Sequence, residues 1–206
     1  MRVLILIVTQ LISLATFAQI NESPGAKQTF ILKINGRAYN VTEGEELKID
    51  SVIINPVITV SLPVNLVFKT DSLSFHYPRN MAYDFEQSTG VKTWTLSGND
   101  LVILLFEFEL KVKLENLVQS MVNKFGKQNC RLSPYSLRLG GRTLQGQRIN
   151  ISLAGQKLVM DLLNIDFADG KSRIICFQGS RGEPGVPSEE LNNALKLIDS
   201  TILYSF

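Results

Sequence analysis

Imidazole is scarce in this chain: His76 is the only histidine among 206 residues, and cysteine occurs twice, at Cys130 and Cys176. So few nitrogen and sulfur ligands, without paired spacing, exclude zinc motifs of the finger or HExxH kind. One histidine also confines any Ser-His-acid hydrolase to a site on His76, because that chemistry needs an imidazole to take and return a proton. The Gly-x-Ser-x-Gly elbow is missing, as is the Walker pattern ending in Gly-Lys-Ser/Thr. An excess of one charge is lacking too. The formal net charge is +2, which leaves no electrostatic footprint for nucleic acid. Nor is there an apolar run of roughly 20 residues, the length a spanning helix needs.

What is present begins with an export signature. Arg2 supplies the positive start, Val3 to Phe17 the apolar stretch, and Thr16-Phe17-Ala18 the small residues of a cleavage site. Cleavage after Ala18 leaves a periplasmic or extracellular protein with no transmembrane anchor. Losing Arg2 lowers the formal charge from +2 to +1, since no other charged residue lies in that segment. Residues 19–27, with Ser23, Pro24 and Gly25, read as a disordered leader. Residues 28–206 then suit a single α+β domain, in which 28–70 forms an optional N-terminal hairpin extension. In an oxidising compartment Cys130 and Cys176 permit one disulfide. Two buried free thiols are the other reading, because Cys176 lies in the apolar run Ile174 to Phe177.

The spacing of apolar and turn residues predicts the elements. Asn35-Gly36 between two short β runs is a hairpin turn. Val52 to Leu62 is β-branched and apolar, and Pro56 makes it an edge strand, a bulge or two shorter strands. Leu73, Phe75 and Tyr77 alternate with Ser74 and His76, as in a half-buried strand. Residues 79–90 read as irregular, and Val91 to Leu96 with Leu101 to Leu110 as a second hairpin. Leu114, Leu117, Val118, Met121, Val122 and Phe125 follow helical spacing, with Gly126 as the stop. Strands return from Leu137, and 143–153, 157–167 and 173–178 form a meander. Gly179 to Pro187 is a loop, and Ser188 caps a last helix carrying Glu189 and Glu190 in its first turn. The order predicts an antiparallel sheet covered by helices.

From Ser72 to Tyr204 the chain resembles the Mog1/PsbP-like family. The resemblance rests on Phe75-His76-Tyr77-Pro78, the helix from Leu114, the Gly141-Arg142 turn, the long meander and the closing helix. It implies an α/β/α sandwich, an antiparallel sheet between helices. Most members look like interaction or accessory domains, and no family site residue carries across.

Candidate chemistry is thin. Ser74 and His76 share a strand face, as do Glu107 and Glu109, for which ordinary solvent-facing alternation is the favoured reading. Asp161 and Asp166 fall on opposite faces and form no simple pair. Arg138, Arg142 and Arg148 flank a glycine turn and read as solvated. The expectation is therefore an exported, non-enzymatic interaction or accessory domain, with no cofactor and no catalytic or metal residue, whose partner is another envelope or secreted protein. A small-ligand or lipid-binding domain, suggested by the apolar stretches Val52 to Val67 and Leu101 to Phe108, is the first alternative. A hydrolase centred on His76 is the second.

Overall fold

The computed structural model describes residues 29–50, 52–180 and 187–205. The signal segment, the leader and most of the loop after Gly179 lie outside the described residues.

Asn35 and Gly36 take positive φ, 49° and 83°, and so close a tight hairpin between β1 (Thr29–Ile34) and β2 (Arg37–Thr42). Strand β3 (Ile58–Ser61) pairs with the other side of β1, giving a three-stranded sheet β2-β1-β3. Pro56 precedes β3, and β3 is indeed an edge. Next, β4 (Asn65–Lys69) and β5 (Leu73–Pro78) pair antiparallel, and the C-terminal β13 (Leu203–Tyr204) adds to β5 as a second three-stranded sheet.

The remaining strands build the central sheet. They are β6 (Ala82–Ser88), β7 (Val91–Ser97), β8 (Leu101–Phe108), β9 (Cys130–Leu139), β10 (Arg142–Leu153), β11 (Gln156–Ile165) and β12 (Ser172–Ser180). Their order is β6-β7-β8-β12-β11-β10-β9, antiparallel throughout. Helix α1 (Leu114–Phe125) carries the chain from β8 to the far edge, and the meander then returns to set β12 beside β8. Gly126, at φ 88°, stops the helix where the sequence places the stop.

Each face of this sheet has its own core. On one face Leu114, Val118 and Val122 of α1 pack on Leu104, Ile149, Met160, Leu162 and Cys176. On the other, Phe68, Leu73, Phe75 and Tyr77 of the β13-β5-β4 sheet join Ala194 and Ile198 of α2 (Glu189–Thr201) over Leu96, Ile103, Leu163 and Ile175. Helix α2 is pinned at both ends by carboxylates. Glu190 accepts the backbone N–H groups of Asn99, Asp100 and Leu101 in the β7–β8 turn. Asp199 accepts that of Gly140 in the β9–β10 turn.

The expected α/β/α sandwich is therefore corrected. Strands in three antiparallel sheets dominate, with two helices among the described residues. One face carries a helix, while the other carries a second sheet with α2 beside it. In β6, Tyr83 and Phe85 alternate with Asp84 and Glu86, a strand pattern hidden among polar residues. Strand β9 begins at Cys130 and contains Pro134, which is tolerated because β9 is the outermost strand.

Candidate functional site

The N-terminal sheet has one apolar face and one polar face. Register places Leu32 beside Tyr39 and Val60, and Ile34 beside Arg37 and Ile58. Cross-strand partners share a face, so Phe30, Leu32, Ile34, Tyr39, Val41, Ile58 and Val60 lie together with one charged residue, Arg37, while Ile31 lies on the other face. Lys33, Thr59 and Ser61 lie on the opposite side. No residue of this sheet belongs to either core cluster of the central sheet, and on this face only Ile34 is buried.

The exposure is concentrated next to that face. Among the described residues, eight of the eleven large exposed hydrophobic side chains fall between Val52 and Val67. Val52 is 93% exposed and Val64 84%. From residue 51 to 68 the chain carries no charged side chain. Single exposed apolar residues are ordinary, whereas a contiguous uncharged strip marks an interaction site. Natural sheets often blunt such an edge with lysine or with an inward charge; β3 carries neither and is limited only by its four-residue length and the flanking Pro56 and Pro63.

The residues singled out from sequence lie elsewhere. His76 is exposed on β5, and only its backbone N–H is engaged, donating to Thr201 Oγ1 at 3.0 Å. No described hydrogen bond or ion pair joins its imidazole to Ser74 or to an acid. Cys130 and Cys176 are both free thiols. They stand on β9 and β12, with β10 and β11 between them, a lateral separation of roughly 14 Å at the usual strand spacing. A bridge needs Cα atoms within about 7 Å, so the permitted disulfide gives way to the two-thiol reading. Burial pushes both thiols up, Cys176 most, with the Asp161 charge adding to it.

Glu107 is not solvent-facing. It is buried with Arg173, whose Nε donates to it at 2.8 Å, and Lys171 stands at 3.7 Å. Arg173 also grips Asp169, whose carboxyl is held at about 2 chiefly by that hydrogen bond. Arg148 is not free either: it forms a two-pronged pair with Asp161 and lies over the Tyr135 ring at 4.0 Å. Arg142 stacks on Tyr204 at 4.6 Å. The Arg148–Asp161 and Arg173–Glu107 pairs each tie neighbouring strands together. Among the described residues no three metal-ligating side chains cluster.

The two apolar stretches behind the ligand-binding alternative differ in burial, and Leu66 packs against the core that holds Leu101, Ile103 and Leu105. Leu101 to Phe106 are core residues of the central sheet, whereas Val52 to Val67 is largely surface. Among the described residues no helix is long and apolar enough to cross a membrane.

No family model matches the chain, and no curated protein does. The likeness to the Mog1/PsbP-like family thus remains a resemblance. Among solved structures, a protein titled as LpqN involved in cell envelope biogenesis of Mycobacterium tuberculosis is similar over 65% of this chain and 83% of its own. The identity is 12% and the TM-score 0.37.

Proposed function

We propose that this chain is an exported, non-enzymatic interaction or accessory domain of the cell envelope, and that it binds a protein partner through its N-terminal sheet. One observation carries the reading. The uncharged apolar strip Val52–Val67 lies at the surface beside a sheet face that the described core leaves open. Covering one Val or Leu side chain contributes about 1.5–3 kcal/mol. Full cover of eight such side chains would contribute on the order of 12–24 kcal/mol, against an association cost on the order of 10 kcal/mol, so most of the strip must be covered for a stable complex.

The export signature at residues 1–18 supports the envelope setting. Among the described residues no nucleophile or acid is bonded to the His76 imidazole, which supports a role in binding over hydrolysis. The test is capture from envelope extract under crosslinking, comparing the wild-type chain with a Val52→Lys/Val64→Lys variant. Both positions are so exposed that stability should change by less than about 0.5 kcal/mol each. Loss of a specific captured band in the variant is expected. Equal capture by both chains would move the interface elsewhere.

A further inference from the structure

Strand β3 has a defined bonding pattern along its open edge. Val57 turns both its backbone groups toward β1: its N–H donates to Asn35 Oδ1 and its carbonyl accepts from the Asn35 N–H. Successive residues of an extended strand point these groups to alternate sides. Thr59 and Ser61 therefore face β1, while Ile58, Val60 and Leu62 present N–H and C=O to the open side. Sheet order leaves that side without a described strand.

We infer that the occupant of this edge is a second copy of the chain, paired β3 to β3 about a two-fold axis through Val60. Three features point to a copy. First, the strip is uncharged from 51 to 68, so juxtaposing it with itself brings no like charges together. Second, the outward-facing triplet is centred on Val60. Antiparallel pairing sets Val60 against its equivalent and Ile58 against Leu62, exchanging roughly six N–H···O=C bonds. Pro56 and Pro63 bracket this stretch and confine the register. Third, the far edge of the sheet is β2, where Arg37 and Asn40 are exposed. With one inviting edge on this sheet per copy, pairing through β3 closes as a dimer instead of running on as a fibre.

The product is one sheet, β2-β1-β3 continued by its two-fold equivalent. Ile58 and Val60 of both copies then lie on one side with Leu32 and Ile34, so the apolar face doubles in area. The strand seam alone is smaller than the approximately 1,000 Å² expected of a stable interface. The exposed side chains flanking β3 supply the remainder. This inference rests on reading the N-terminal sheet as the binding surface, and it adds that the surface is presented as a pair.

Sedimentation of the purified protein across micromolar to millimolar concentrations tests it. Wild-type mass should rise from monomer to dimer. Val60→Pro deletes the outward N–H and leaves the β1 bonds in place. Val60→Lys puts two ammonium groups side by side at the axis. Both should weaken dimerisation at least tenfold while keeping the wild-type circular dichroism. Amide exchange at Ile58, Val60 and Leu62 should slow as wild-type concentration rises, with Thr59 protected throughout. A wild-type monomer at every concentration, or a dimer unchanged in both variants, overturns the seam. Sedimenting the Val52→Lys/Val64→Lys variant as well separates the two claims: a wild-type monomer that still captures its partner refutes only the pairing, and a dimeric variant that captures as wild type does refutes only the partner surface.

Discussion

Asn35 and Val57 exchange two hydrogen bonds, one through the Asn35 backbone N–H and one through its side-chain oxygen, at 2.9 and 2.8 Å. That exchange fixes which backbone groups of β3 face inward and which face the open edge. Asn35 also sits at φ 49°, a conformation that asparagine tolerates better than most residues. Asn35→Ala loses both advantages. It should cost about 1–2 kcal/mol of local stability, seen as faster amide exchange at Val57 with little change in the core strands.

Glu190 fills the space that a side chain at Gly98 would need, since a Cβ there would stand 2.3 Å from its Oε1. Its carboxylate receives three backbone N–H groups of the β7–β8 turn. Hydrogen bonds to a charged group are worth about 1.5–3 kcal/mol, so Glu190→Ala should destabilise the fold by about 2 kcal/mol in urea unfolding. Gly98→Ala should displace the same carboxylate. The double variant should then fall short of the sum of the two singles.

Arg173, 4% exposed, neutralises buried Glu107. Removing the guanidinium leaves a buried carboxylate with only the Lys171 contact at 3.7 Å. Breaking such a pair typically costs about 3–5 kcal/mol, so Arg173→Met should be severe. Pairing it with Glu107→Met removes the orphaned charge, and urea unfolding should show recovery of most of the loss.

Asp169 gives a pH signature. Its carboxyl is held at about 2, mainly by the Arg173 hydrogen bond, against about 3.9 in an unfolded chain. A depressed acid stabilises fully above its unfolded value, and that contribution is lost as pH falls toward 2. Wild type should lose stability between about pH 4 and pH 2 more steeply than Asp169→Asn, when urea midpoints are compared across that range.

Two free thiols should be counted in the unreduced protein by mass spectrometry after alkylation under denaturing conditions. In the native protein Cys176 should stay unmodified, because it is fully buried and its thiol is pushed up. Partly exposed Cys130 should react slowly. A mass two protons lighter, with no alkylation, would show the bridge that the strand order disallows.

Much of the strand and helix order was legible because period and punctuation agree there. Leu73-Phe75-Tyr77, Asn35-Gly36, the α1 stripe and Ser188 each combine a pattern with a stop or cap, and each appears in place. The misses share a cause: residues whose meaning depends on distant partners. Tyr83 and Phe85 look scattered until β7 is beside them. Glu107 looks solvent-facing until Arg173, far along the chain, is paired across from it. The second sheet depends on Leu203 and Tyr204 returning to β5, which no local pattern announces. For the candidate surface, Pro56 left an edge strand, a bulge or two shorter strands open; the structure has an edge strand that starts after it and shows that the apolar residues around it face outward.

The account's central claim is that the Val52–Val67 strip contacts a protein in the envelope. Site-specific photo-crosslinking in cells, with the photoreactive residue at position 64 and a control at exposed Asn193 on α2, addresses it most directly. A discrete protein adduct from position 64 and none from 193 is the predicted result. Equal adducts at both positions, or none at 64, would contradict it.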